Sequence, residues 1–243
     1  MKLFLAGTYS RPHLFQGKEQ PLYILESFYY VQDWQIDMLN KWDMFLLDSG
    51  AFTFMLNTKI NLDWDRYIDR YIEFIKRNNI QYFFELDIDS VVGYEKVKRM
   101  RARLERETEK KCIPVWHKSR GIKEYQQLCK NYDYIAIGGI VSKEIKPSEY
   151  PYLEKLVRLA KQHGTKVHGL GFTNKNANKY GFYSVDSTNW LSSSRFGGVD
   201  YFDGEKMVKV SAPKGKTSVH YKVRDEFVLR EWIKYQKYLN RSC

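Results

Sequence analysis

The chain is poor in cysteine and has no long apolar run, and each shortage removes a class of protein. Its three cysteines, Cys112, Cys129 and Cys243, are scattered and odd in number. They make no CxxC pair and no close Cys/His cluster, so no disulfide framework and no structural zinc site is expected; a reducing compartment, the cytoplasm, is. No stretch reaches the about 18 consecutive apolar residues that a membrane-spanning helix needs, so no membrane partner is expected. The opening MKLFLAGTYSRPH carries one lysine and a very short apolar stretch without a small-residue cleavage site, and reads as a first strand, not a signal peptide. SAPKGKT, residues 211–217, lacks the first glycine of a P-loop and reads as a mobile basic loop. No HxH pair follows the first strand, which argues against a metal-dependent barrel; no cofactor is expected either.

What the chain does have is positive charge and aromatic rings. The net charge is +11 over 243 residues. Residues 95–123 hold eleven Lys/Arg against four acids, and residues 204–243 hold ten against four. Such a balance favours an anionic partner, nucleic acid first, although solvated helix faces are often Lys/Arg-rich as well. The candidate phosphate contacts are Lys118, Arg120, Arg195, Lys214 and Lys216. An aromatic content of 16%, with 19 tyrosines, fits base stacking as well as core and rim packing.

Apolar runs of strand length recur at Leu3–Ala6, Phe45–Leu47, Tyr82–Leu86, Ile113–Trp116, Tyr134–Ile137, Lys166–Leu170 and Phe182–Val185, with an eighth around Gly198–Phe202. Amphipathic segments lie between most of them. Trp64, Tyr67, Ile68, Tyr71, Ile72 and Ile75 follow helical spacing, with Asp63 placed to cap. Residues 91–110, 121–131 and 222–240 read as further helices. Ser148 is placed to cap a helix carrying Leu153, Leu156 and Val157, which His163-Gly164 would close. Alternating strand and helix implies parallel pairing. Eight such repeats in a chain of this size predict a single-domain α/β (β/α)8 TIM barrel over 1–243, with 203–243 as a basic C-terminal extension packed on it. A doubly wound open sheet is the competing fold; it would usually carry a Gly-rich loop after the first strand, and Ala6-Gly7-Thr8-Tyr9 is a poor one.

In such a barrel the chemistry sits at the carboxyl ends of strands. That places Asp48, Asp87, Asp89, His117, Gly138-Gly139, Gly169-Leu170-Gly171 and Asp186 at one rim. Asp48 and Asp186, from opposite parts of the ring, are expected to face each other across a ligand. Two carboxylates flanking a glycosidic carbon are what retaining displacement needs, one attacking and one moving protons. Each acid has a plainer reading as the cap of a following helix. Asp89-Ser90 fits that better than Asp87 does, which favours Asp87 for chemistry. His117 and His168 read first as local hydrogen-bonders, and Phe52 also fits the core.

Taken in order, LLDSGAF, ELDID, IAIGGIVSKE, HGLGFT and SVDSTNW resemble the motif series of the tRNA-guanine transglycosylase superfamily, over roughly residues 44–195. Members exchange a guanine in a polynucleotide for a 7-deazaguanine base without ATP. The resemblance implies that Asp186 is the nucleophile and Asp48 the pocket acid credited with proton transfer. It puts Phe52 against the base, Asp87 at the purine N1–H and amino group, the Gly138 and Gly139 amides at O6, and Leu170 on the pocket floor. The sequence departs from the tRNA enzymes in two ways. Trp116-His117 stands where they carry Gln, and the C-terminal region lacks their clustered cysteines. The pattern is more similar to the phage DNA-guanine branch, which protects DNA against restriction. That implies DNA as partner, tRNA being the alternative, and 7-cyano-7-deazaguanine as incoming base. An N-glycosidase that transfers the sugar to water and a catalytically silent nucleic-acid-binding barrel are the other readings.

Overall fold

Alternation of period two runs through the apolar strands, and it sends their side chains to two different cores. The computed structural model describes residues 1–17, 19–51, 53, 62–172, 177–192, 197–211 and 220–241. Seven parallel strands, β1 (Lys2–Ala6), β2 (Tyr23–Ser27), β3 (Met44–Asp48), β4 (Val115–Trp116), β5 (Tyr134–Ile137), β6 (Lys166–Gly169) and β7 (Ser184–Ser187), form one sheet in the order β3-β2-β1-β7-β6-β5-β4. Leu3, Leu5, Ile135 and Ile137 face the helices, whereas Phe4, Ala6, Tyr134 and Ala136 join the cluster on the other face. Both faces being covered accounts for strands that are apolar throughout. The inner face curves enough for the His168 ring on β6 to meet both Phe4 on β1, at 5.9 Å, and Phe84, at 5.4 Å.

The expected closed (β/α)8 barrel is corrected by this sheet, which has seven strands and is open between β3 and β4. Tyr82–Leu86 forms no regular strand. It makes isolated bridges, Leu47 with Phe83 and Phe84 with Ile113. Backbone bonds join it to Leu47 on one side and Ile113 on the other, and side chains add to them. The Glu85 carboxylate accepts the Val115 N–H at 2.8 Å, Arg120 donates to the Val115 carbonyl, and the Tyr71 hydroxyl lies 3.0 Å from the Phe84 carbonyl and 3.2 Å from that of Leu47. Gly198–Phe202 is not an eighth parallel strand either. β8 (Val199–Phe202) pairs antiparallel with β9 (Met207–Val210) in a separate hairpin. Conversely, β2 was not foreseen. Its five residues hold a buried glutamate, Glu26, where an apolar run would have a hydrophobe.

The helices are α1 (Asp33–Ile36), α2 (Trp64–Arg77), α3 (Asp89–Val92), α4 (Tyr94–Thr108), α5 (Gly121–Asn131), α6 (Tyr150–Gln162) and α7 (Tyr221–Arg241). Asp63 caps α2 as expected, accepting from the Asp65 and Arg66 amides, and Tyr67, Ile68, Tyr71, Ile72 and Ile75 are buried. Burying an Ile of this kind stabilises by roughly 1.5–3 kcal/mol. The single helix expected over 91–110 breaks at Gly93, φ +79°, into α3 and α4. Ser148 does not cap α6; it lies in a short 3-10 turn, Pro147–Glu149, ahead of it. His163 and Gly164, φ +73°, do end α6. The C-terminal helix is stitched to the sheet. The Gln236 side chain donates to the Leu3 and Tyr23 carbonyls and accepts from Leu22, and the Met1 ammonium donates to the Leu239 carbonyl. Among the described residues no helix is long and apolar enough to cross a membrane.

Candidate active site

The carboxyl ends of the strands surround a cavity of about 890 Å³. Its lining is strongly acidic. Glu26, Asp48, Asp87, Asp89, Glu144 and Asp186 all contribute, against the imidazole of His117. Asp48 at the end of β3 and Asp186 in β7 therefore meet at one rim, as the strand-end argument expected. Asp186 caps no helix; the short 3-10 turn that follows starts from Thr188.

Asp186 is held through one oxygen. Its Oδ1 accepts the Gly171 N–H at 2.7 Å and lies 3.2 Å from His168 Nε2. Gly171 needs φ +64° to aim that amide, and a Cβ there would come within 2.3 Å of Val141. His168 Nδ1 is 2.7 Å from the Ser184 hydroxyl, which is 2.5 Å from that of Tyr134. A carboxylate only accepts, so Nε2 carries the proton, Nδ1 accepts from Ser184, and Ser184 accepts from Tyr134. Among the described residues Oδ2 has no hydrogen-bond partner.

Asp48 is tuned differently. Burial raises its pKa, the Gly50 N–H at 2.9 Å on Oδ2 works in the opposite sense, and the nearby charges of Asp186 and Asp87 raise it further, to about 6. A carboxyl poised there can both give and take a proton near neutrality.

On the opposite wall His117 bridges two carboxylates. Nε2 lies 2.8 Å from both Asp87 oxygens, and Nδ1 lies 3.0 Å from Glu144 Oε2, whose partner oxygen accepts the Ser119 amide. Burial opposes the imidazolium, but the hydrogen bonds and charges of its carboxylate partners outweigh it and place the pKa at about 9. His117 is thus a doubly donating cation. Beneath it the Arg120 guanidinium, 3% exposed, binds Asp89 at 2.8 Å, Asp87 at 3.3 Å and Glu85 at 3.4 Å. Burial lifts Glu85 to about 7 despite Arg101 and Arg120. Asp87, Asp89 and His117 offer ligand atoms within 4.8 Å of one another, close enough to hold a cation. In this arrangement Arg120 and the His117 imidazolium already neutralise those oxygens, so a metal would have to displace one and deprotonate the other.

Other expected roles are redistributed. The Gly138 N–H is engaged with the Trp116 carbonyl at 2.9 Å, so it is not available for a purine O6. Gly138 serves close approach: a Cβ would lie 2.7 Å from His117 Cε1, and one on Gly139 2.7 Å from Glu144 Oε2. Leu170 does line the cavity. Arg120 is a buried counter-ion and no phosphate contact, and Lys118 is paired with Glu149. Eight of the eleven cations in 95–123 lie within ion-pair distance of a carboxylate, which offsets that patch internally. Phe52, Arg195, Lys214 and Lys216 lie outside the described residues, as does most of SAPKGKT.

Residues not singled out as site groups from the sequence complete the cavity. Glu26 projects from the unforeseen β2, and its Oε2 accepts from the Thr8 hydroxyl, the Tyr9 amide and the Gln35 side chain. Glu144 lay inside IAIGGIVSKE, but nothing local marked it as a partner for a histidine 27 residues earlier. The Tyr9 and Tyr30 rings, stacked at 4.6 Å and 10°, also line the cavity.

No family model matches the chain, and no curated protein does. Among solved structures the chain is similar to the crystal structure of citrate synthase SbnG, at 10% identity and a TM-score of 0.45, over 79% of this chain and 90% of that one.

Proposed function

We propose that the protein is a base-exchange glycosyltransferase that replaces guanine in DNA by a 7-deazaguanine base. The observation that carries this reading is the pairing of two differently held carboxylates, Asp186 and Asp48, at one rim of an acidic cavity. Asp186 Oδ2 attacks C1′ as the C1′–N9 bond breaks and its electron pair leaves with the base. Asp48, whose pKa of about 6 keeps a protonated fraction near neutrality, supplies the proton that the departing base needs. The incoming base gives its N9 proton back to Asp48, its N9 attacks C1′, and the aspartyl ester breaks. The exchange balances without a nucleotide cofactor. An oxocarbenium-like transition state gains from a wall of carboxylates, and phosphates are repelled by it, so only the nucleoside part enters.

The guanine edge offers two donors, N1–H and the amino group, beside one acceptor, O6. Asp87 supplies acceptors for the two donors, and the His117 cation, both of whose N–H groups are already given to Asp87 and Glu144, holds it in place. Because Nε2 is shared between both Asp87 oxygens, one can turn to the base without breaking the pair. Reaching this site requires the nucleotide to leave the duplex stack, at a cost of a few kcal/mol. 

Incubation with labelled guanine, once with DNA and once with tRNA, tests the proposal. Label in DNA is expected, and Asp186→Asn should abolish it. Label in tRNA alone would move the substrate to tRNA. Free guanine released without uptake would make the protein an N-glycosidase, and no reaction with either polymer would overturn the glycosyl-transfer reading.

A further inference from the structure

We infer that the stacked Tyr9–Tyr30 pair is a subsite for the base adjoining the reacting nucleotide, which makes a strand, and not a free nucleoside, the substrate. This rests on the glycosyl-transfer reading above. The sheet order β3-β2-β1-β7 puts β2 and β1 between the strand of Asp48 and that of Asp186. Tyr9 follows β1 and Tyr30 follows β2, so the ring pair stands along the stretch of rim that joins the two acids. The polar wall of Asp87, His117 and Glu144 lies on the other side. A sugar held between the acids with its base on that wall leaves the adjoining nucleotides over Tyr9 and Tyr30.

The rings are fixed in place. Glu26, buried, accepts the Tyr9 amide at 3.0 Å. The Tyr30 amide closes a turn on the Ser27 carbonyl at 2.9 Å, and the next residue back but one, Phe28, donates to the Asp48 carbonyl at 2.8 Å. The platform is thereby tied to the strand that carries Asp48. Tyr29 stands edge-on to Tyr30 at 4.8 Å and is 49% exposed, which extends the aromatic surface outward. An acidic cavity cannot grip a strand by its phosphates, and among the described residues uncharged stacking is the contact this stretch of rim offers. Stacking tolerates any base, because each has a π-face.

The test compares exchange on an oligonucleotide with exchange on free deoxyguanosine. Tyr9→Ala and Tyr30→Ala should raise KM for the oligonucleotide by about 5- to 150-fold, the range one base stack provides, with kcat within about twofold. The preference for the oligonucleotide should collapse in both and return in Tyr9→Phe and Tyr30→Phe, which keep the ring. A second readout does not need turnover: 2-aminopurine placed beside the guanine should be quenched on binding the wild-type protein and not on binding the alanine variants. Quenching without any exchange in the wild type would keep the subsite and sink the glycosyl-transfer chemistry. Exchange whose substrate preference and quenching survive both alanine substitutions would overturn the subsite, and absence of both signals in the wild type would overturn both.

Discussion

His168 Nε2 lies 3.2 Å from Asp186 Oδ1, and the ring is wholly buried between that carboxylate and Ser184. The histidine holds the proposed nucleophile by the oxygen that does not react. His168→Ala should therefore lower kcat for exchange by about 10- to 100-fold while KM moves little, since the change touches orientation and not binding. It also leaves the Ser184 hydroxyl without its acceptor, at about 1–3 kcal/mol. Single-turnover kinetics and urea unfolding separate the two effects.

Asp48 sets a pH dependence whose sign is fixed by its environment. Its pKa rises on folding from 3.8 to about 6, so the folded state holds a proton that the unfolded chain has lost. Its contribution is fully present below about pH 4 and is lost as pH rises through about 6. Asp48→Asn should thus gain stability relative to wild type at pH 7.5 compared with pH 4.5, by up to ~3 kcal/mol. Urea titrations at both pH values check this. Exchange should be suppressed at either pH, with some aspartyl-sugar adduct still able to accumulate.

His117 behaves in the same sense at higher pH. Lifted to about 9 by its carboxylate partners against the opposing effect of burial, it stabilises the fold below its ordinary 6.5 and loses that contribution as pH passes through about 9. The imidazole resonances should titrate near 9 by NMR. Asp87→Asn should bring that midpoint down.

Gly138→Ala places a methyl 2.7 Å from His117 Cε1 and 2.9 Å from Val115 Cγ1. Overpacking of this kind costs about 1–3 kcal/mol. It should also push His117 off Asp87, so the same NMR midpoint should fall even though no charge has been altered.

Arg120 should declare itself as structure and not as a DNA contact. Arg120→Met strips the cation from Glu85, Asp87 and Asp89 in a nearly sealed site, and breaking a buried pair costs about 3–5 kcal/mol. Thermal unfolding should register that loss. The salt dependence of DNA binding by whatever fraction stays folded should keep its slope.

Local order is written plainly in this chain. The period of Tyr67, Ile68, Tyr71, Ile72 and Ile75 and the Asp63 cap mark α2 without ambiguity, and LLDSG and SVDS mark strand ends that carry acids. Those features depend on neighbours within a few residues, where spacing and hydrogen-bonding habit suffice. Closure of the sheet depends on something else. Whether Tyr82–Leu86 pairs as a strand rests on Leu47 and Ile113, which it bridges from distant parts of the sequence, and on the bonds that Glu85, Arg120 and Tyr71 add around it. β2 escaped notice because its buried Glu26 looks polar until Thr8, Tyr9 and Gln35 are seen to satisfy it. Arg120 likewise reads as a phosphate contact and His117 as a local hydrogen-bonder until burial among carboxylates turns one into a counter-ion and the other into a fixed cation. Charge and hydrogen-bonding capacity belong to residues singly, but their consequences depend on what surrounds them, and for the site of this protein those surroundings are assembled by packing between distant parts of the chain.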